Sequence, residues 1–231
     1  MLKTRIIPTV LCRGREQVKG QRFDTSRRIG NAMQACRVHN MRGADELCLL
    51  EVGGGMIDLE TVKALASECF MPLAVGGGVR TLEQFGALIR HGADKVVLGK
   101  VAWELPQLVK DASRKFGAQA AVVSITIAAV AVEWAQYAER VGAGEILLQS
   151  RERDGTLSGY DLDLIAAVSR AVSIPVIASG GCSGYADMAA ALKAGAHAIA
   201  AGALFAFTDA TPQGAAQYLQ NCGFNMRVEA A

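Results

Sequence analysis

Short apolar or β-branched runs alternate along the whole chain with longer segments whose apolar residues recur every three or four positions, the pattern of strands and amphipathic helices taking turns. Strands are expected to begin near Arg5, Glu46, Pro72, Lys95, Ala120, Glu145, Pro175 and Ala198. Helices are expected over Asn31–Met41, Leu59–Cys69, Leu82–His91, Leu105–Phe116, Val132–Val141, Leu162–Val172 and Tyr185–Ala194. Several run into a glycine placed to cap them: Gly92 after His91, Gly142 after Val141 and Gly195 after Ala194. Strand and helix in strict alternation feed a parallel sheet, and eight strands are enough to close one on itself. The expected fold class is α/β, a single (β/α)₈ TIM barrel.

The two halves of the chain echo each other. Gly43-Ala44-Asp45-Glu46-Leu47 resembles Gly142-Ala143-Gly144-Glu145-Ile146, and Val75-Gly76-Gly77-Gly78 resembles Ala178-Ser179-Gly180-Gly181. A third pair, Gly92-Ala93-Asp94 and Gly195-Ala196-His197, falls at nearly the same offset of about 100 residues. A half-barrel internal duplication accounts for all three.

Length and composition fit this picture. The 231 residues are close to the roughly 250 typical of such a barrel, so residues 1–231 are expected to form one domain. Apolar residues make up 51%, enough for a sizeable core, and the net charge of +2 gives no field for nucleic acid or an anionic membrane. The stretch Met1-Leu2-Lys3-Thr4-Arg5 leads into a short apolar run broken by Pro8, without the long apolar region of a signal peptide, and no apolar run is long enough to span a bilayer. A cytoplasmic location is expected. Cys12, Cys36, Cys48, Cys69, Cys182 and Cys222 have no C-x-x-C spacing and read as reduced core residues. His39, His91 and His197 are not spaced as metal ligands, and no metal or cofactor is expected.

Seven segments carry a family resemblance: Arg5-Ile6-Ile7-Pro8, Gly43-Ala44-Asp45-Glu46-Leu47, Val75-Gly76-Gly77-Gly78-Val79-Arg80, Gly92-Ala93-Asp94-Lys95-Val96, Gly142-Ala143-Gly144-Glu145-Ile146-Leu147-Leu148, Arg153-Asp154-Gly155-Thr156 and Ile174-Pro175-Val176-Ile177-Ala178-Ser179-Gly180-Gly181. In order and spacing they resemble the cyclase subunit of imidazole glycerol phosphate synthase, the HisF family. The resemblance implies a barrel that docks as a heterodimer on a glutaminase subunit, takes ammonia through its core and delivers it to a phosphorylated small molecule at the opposite mouth. Gly78 and Gly181 then become candidate anion cradles, since backbone without a Cβ approaches a phosphate closely. Glycine there equally serves a tight βα turn. Asp154-Gly155-Thr156 matches a loop that helps form the second of the family's two phosphate sites, and Lys19 matches a lysine that contacts ligand phosphate. A loop lysine is otherwise simply solvated.

Arg5, Glu46, Lys95 and Glu145 stand at the starts of the first, second, fourth and sixth strands, which puts all four near the N-terminal mouth. In the family the matching residues form a salt-bridged gate for ammonia. The alternative is a structural ion-pair network, because the bottom face of such barrels normally concerns stability.

The resemblance breaks at the other mouth. The family's cyclisation rests on two aspartates, one a general acid and one a general base, at the ends of the first and fifth strands. Leu11 and Thr126 occupy those positions, and neither can do that chemistry. Gly99-Lys100 stands where the first phosphate site has Asn-Thr, Ala203 replaces a serine of the second, and Glu51 replaces an aspartate. The segment after the fifth strand is about 20 residues shorter than the family's loop. Lys100 is either a replacement phosphate contact or a solvated cation. Three readings compete: a HisF-like subunit that conducts ammonia for another reaction, such as amidine formation on surface sugars; an authentic cyclase whose acids have moved to Glu51 or Asp154; and a non-catalytic scaffold that activates a glutaminase. A sibling isomerase of the pathway would also need barrel-end acids that are not found.

Overall fold

The computed structural model describes residues 3–227; Met1 and Leu2, from the stretch read as lacking a signal peptide, and residues 228–231 lie outside them. The strands are β1 (Arg5–Arg13), β2 (Glu16–Val18), β3 (Arg28–Asn31), β4 (Leu47–Glu51), β5 (Leu73–Gly76), β6 (Lys95–Leu98), β7 (Ala121–Ile125), β8 (Glu145–Gln149), β9 (Val176–Ser179) and β10 (Ala198–Ala201). From β4 to β10 each is parallel to the next, and β1 lies parallel between β4 and β10 with Arg5 opposite Ala198, so the sheet closes. The eight-stranded parallel barrel expected from the sequence is the fold observed. Strands such as β5, β7, β9 and β10 are buried at every position, which is why they read as continuous apolar runs rather than alternating ones.

Alternation still sorts the side chains into two cores. Ile6, Val10, Leu47, Leu49 and Val75 pack outward against the helices, while Ile7, Cys48, Ala74, Val97, Val122, Leu147, Ile177, Ala198 and Ala200 fill the barrel interior.

The recurrent Gly-Ala turns have one physical explanation. After four helices the chain turns through Gly43, Gly92, Gly142 or Gly195, each at positive φ. The following alanine amide then reaches back five residues: Ala44 to His39, Ala93 to Leu88, Ala143 to Ala138 and Ala196 to Ala191, at 3.0–3.2 Å. This is the glycine C-cap in which the left-handed residue frees the next amide to satisfy a helix-end carbonyl. The third residue ties the turn to the preceding barrel strand, with Asp45 accepting from Ile6 N, Asp94 from Leu73 N and His197 from Val176 N. Gly144 takes this place in the third turn, where a Cβ would lie 2.2 Å from the Ala118 carbonyl oxygen. The recurrence thus follows every second barrel strand, and common turn chemistry accounts for it alongside the expected duplication.

The structure departs from the expectations in places. The loop after the first strand contains the β2–β3 hairpin, because β1 runs past the barrel rim and its free edge pairs antiparallel with β2. The helix expected over Leu59–Cys69 ends at Ala66, where the Ser67 hydroxyl turns back onto the Ala64 carbonyl. A further helix, Pro212–Asn221, follows β10, opened by Thr211 as N-cap and proline in its first turn. All six cysteines are free, but Cys222 is exposed rather than in the core.

His39 is a core residue that holds acid sensitivity. It is buried edge-on to Phe205, its Nδ1 has no partner, and burial, with Arg42 nearby, pushes its pKa down to about 4. The unfolded chain therefore binds a proton near pH 6.5 that the folded chain refuses until about pH 4. We expect stability to fall as pH drops through that window, by on the order of 2–3 kcal/mol. Urea unfolding midpoints at pH 4.5 and 7 check this, and His39→Gln should flatten the dependence.

Candidate functional site

Each of the four Gly-Ala turns delivers its next residue to the bottom of the barrel: Glu46, Lys95, Glu145 and, in the fourth, Ala198. The alanine sits opposite Arg5 in register and leaves room for it. The four charged residues form a closed ring. Arg5 contacts Glu46 at 2.6 Å and Glu145 at 2.7 Å, and Lys95 contacts the same two carboxylates at 2.8 and 2.9 Å. Burial works against the charge on Arg5, and the two carboxylates more than offset it, holding the guanidinium above its ordinary value. Every charge has two opposite neighbours, the condition under which buried ions are tolerated.

Directly above the ring lies a void of about 10 Å³ walled by Glu46 and by Ile7, Cys48, Ala74, Val97, Val122, Leu147 and Ile177. That is close to the smallest space that holds one water-sized molecule. The outer side of the same end carries the exposed side chains Met41 and Phe70 beside a shallow cavity of about 280 Å³ that also includes Gly43, Asp45, Gln213 and Arg227.

At the opposite end the barrel opens into a cavity of about 250 Å³. Lys19, Asp154, Gly155 and Gly181, four residues singled out from the sequence, meet on its wall. Lys19 is not the exposed loop lysine that its position allowed; it is buried, and its ammonium contacts both Asp154 oxygens at 2.6 and 2.8 Å. Gly78 does not join them. Its Cα faces the backbone of Gly55 and Met56 so closely that a Cβ would lie 2.3 Å from the Gly55 oxygen, so the chain's own loop accounts for this glycine. Lys100 also stands apart, exposed and paired with Glu104, which agrees with the solvated reading.

Leu11 lines the cavity, two residues beyond Thr9 on the inward face of β1. Thr126 follows the end of β7, half-buried and off the cavity wall. The two candidate replacement acids are both committed: Glu51 accepts from the amides of Gly14 and Gly53 at 2.7 and 2.6 Å, and Asp154 is held by Lys19. Cys182 is on the wall, but burial pushes its thiol up to about 11 and keeps it neutral. Among the described residues no group of three His, Cys, Asp or Glu is arranged to hold a metal ion, and no helix is long and apolar enough to cross a membrane.

Much of the wall was not singled out from the sequence: Thr9, Leu50, Gln149 and Ser179 from the strands, and Val52, Phe23 and Leu157 from the connections. The period-two count from Arg5 through Ile7 would have reached Thr9. Nothing local marks the loop residues.

A sequence model of the family described as "Histidine biosynthesis protein" matches residues 5–211. The subunits HisF of imidazole glycerol phosphate synthase from Hyphomonas neptunium, Thermobifida fusca and Exiguobacterium sibiricum are 44%, 37% and 39% identical to it, over 98–99% of this chain and 99–100% of each relative. The chain belongs to the HisF family. The alignments are longer than the chain, 252 positions against 231 residues for the Hyphomonas protein, so this relative of the HisF family lacks residues that others carry. After β7 only Thr126 to Val130 separate the strand from the helix Ala131–Val141.

Removing one carboxylate from the ring leaves two part-buried cations, Arg5 and Lys95, sharing the single carboxylate of Glu145. We expect Glu46→Ala to lower the unfolding free energy by about 3–5 kcal/mol, the cost of breaking a buried pair. Denaturant titration checks it, and Arg28→Ala, which breaks an exposed pair with Glu16, should cost less than about 1 kcal/mol.

Proposed function

We propose that this chain is the HisF-type subunit of a glutamine amidotransferase complex, passing ammonia from a glutaminase through the barrel to an acceptor at the C-terminal mouth, without itself performing the histidine-pathway cyclisation. The observation that carries the reading is the salt-bridged ring beneath a void with an almost wholly apolar lining. Ions cannot follow a path walled by Ile7, Val97, Val122, Leu147 and Ile177 without losing their hydration, whereas neutral ammonia loses little. Met41 and Phe70, exposed around the turn that leads into Glu46, give a glutaminase an apolar surface beside the ring. Partner and pathway both rest on the family's known architecture.

Against cyclisation stands the chemistry of the mouth. General acid–base catalysis needs two groups able to give and take protons at the substrate. In place of the family's two aspartates there are Leu11, which has no proton to exchange, and Thr126, a neutral hydroxyl off the wall. Glu51 and Asp154 are occupied by backbone amides and by Lys19, which weighs against the reading in which the acids have moved.

The test is reconstitution with a HisH-type glutaminase. We expect co-purification, stimulation of glutamine hydrolysis on the order of tenfold, typical of coupling between distant sites, and no cyclised product from the family's phosphoribosyl substrate, even with ammonium salts. Product formation would overturn the proposal. Glu145→Ala should release ammonia to solvent while hydrolysis continues; transfer left intact by that change would make the chain a scaffold only.

A further inference from the structure

Two cysteines that line neither the mouth cavity nor the void above the ring lie sulfur to sulfur in the helical layer. Cys36 is in the helix Ala32–Met41 and is buried; Cys69 follows the helix Leu59–Ala66 and is half-buried. They are 33 residues apart in sequence, yet their Sγ atoms are 3.2 Å from each other. Contacts on either side hold the two segments together. Arg37, next to Cys36, pairs with Glu68, next to Cys69, and the Phe70 amide donates to the Asn40 side chain at 3.1 Å. Cys69 is therefore flanked by residues tied to the very helix that carries Cys36. Because Cys69 and Phe70 are outside helix and strand, moving the sulfur by the ~1 Å that separates it from bonding distance breaks no regular structure.

The two sulfurs also differ in chemistry. The Cys36 thiol donates to the Cys69 sulfur and the Met71 amide adds a second donor, which together hold Cys69 below the ordinary thiol range. The same hydrogen bond and burial push Cys36 up. The accessible member is thus the better nucleophile, since the thiolate is the reacting form, and the buried member is the thiol placed to follow it. Cys12, Cys48 and Cys182 are buried with their thiols pushed up by desolvation, and Cys222 is exposed after the helix Pro212–Asn221.

We propose that Cys36 and Cys69 are a redox modification site, forming a reversible disulfide in which Cys69 reacts first and Cys36 resolves it. The oxidant is a low-molecular-weight disulfide. The Cys69 thiol gives its proton to solvent and its sulfur attacks one sulfur of the oxidant, forming a mixed disulfide; the released small thiolate takes a proton from solvent. The Cys36 sulfur then attacks the Cys69 sulfur, and the second small thiolate departs and takes the Cys36 proton. Two protein thiols have lost two electrons and the oxidant has become two thiols. The bond closes a covalent loop around β4 and the helix Leu59–Ala66, and fastens the exposed Phe70 segment to the helix that ends at Met41. None of this depends on ammonia transfer.

The test uses the full folded chain with Cys222→Ser, which removes the exposed thiol and with it cross-links between chains. It is incubated with oxidised glutathione, denatured, alkylated, digested and weighed. We expect two thiols to disappear, the chain to lose the mass of two hydrogens, and a single cross-linked peptide to join Cys36 to Cys69, with dithiothreitol restoring both thiols. The oxidised chain should melt about 5 °C higher, because the closed loop constrains the unfolded chain. With Cys36→Ser added, the reaction should stop at a glutathione adduct on Cys69; with Cys69→Ser added, Cys36 should stay unmodified. The parent measurement alters neither paired sulfur, so a variant that folds poorly does not decide the matter. Glutathione left on Cys69 while Cys36 is present, a different pairing, both thiols intact after exposure, or an oxidised chain that melts lower than the reduced one would each overturn the inference.

Discussion

Four charges at the bottom of the barrel constrain everything built above them. Arg5, Glu46, Lys95 and Glu145 sum to zero and alternate in sign around the ring, so each charge is balanced only while its two neighbours hold position. Their positions are set by backbone. The same glycine-capped turn feeds every second barrel strand, and its fourth residue arrives on the inward face each time. Ala198, the uncharged member of that series, is fully buried as the register partner of Arg5 and packs with the apolar interior of the barrel.

A ring of buried ions is weak evidence for stability. Well-packed hydrophobic residues of similar volume commonly serve as well or better, since two desolvated partners regain little more than they lose. Next to the ring the barrel does use that solution: Ile7, Val97, Val122, Leu147 and Ile177 fill the following layer with aliphatic side chains. Both kinds of layer are available to the fold, and the charged one faces the side where Met41 and Phe70 are exposed. Packing alone therefore does not account for the charged layer.

The sequence disclosed these features unequally, for physical reasons. The barrel and the ring were legible because they depend on periodic, local chemistry: a strand buried on both faces is a run of apolar residues, a helix end is a glycine, and a strand start can be counted. Boundaries such as Ala66 were less so, because one serine hydroxyl decides the matter. The pairing of Lys19 with Asp154 joins residues 135 apart and has no local signature, so the sequence offered Lys19 as a phosphate contact or a solvated cation but not as the partner of Asp154. Gly78 illustrates the converse limit. Its positive φ and place after β5 suit an anion cradle, and only the approach of the Gly55 backbone shows another use for the missing Cβ.

The two ends of the barrel thus solve opposite problems with the same alternation of side chains. Along β1 the inward positions are Arg5, Ile7, Thr9 and Leu11, running from a paired ion through an aliphatic layer to a partnerless hydroxyl and finally an aliphatic group at the rim. An acid at the last of these positions would face Leu50 across the strand pair, with the one nearby ammonium already taken by Asp154. Leucine suits those neighbours, and a lone carboxylate would require one of them to change. Leu11 and the aliphatic lining around it therefore form one coherent surface of the mouth, in which each side chain suits its neighbours.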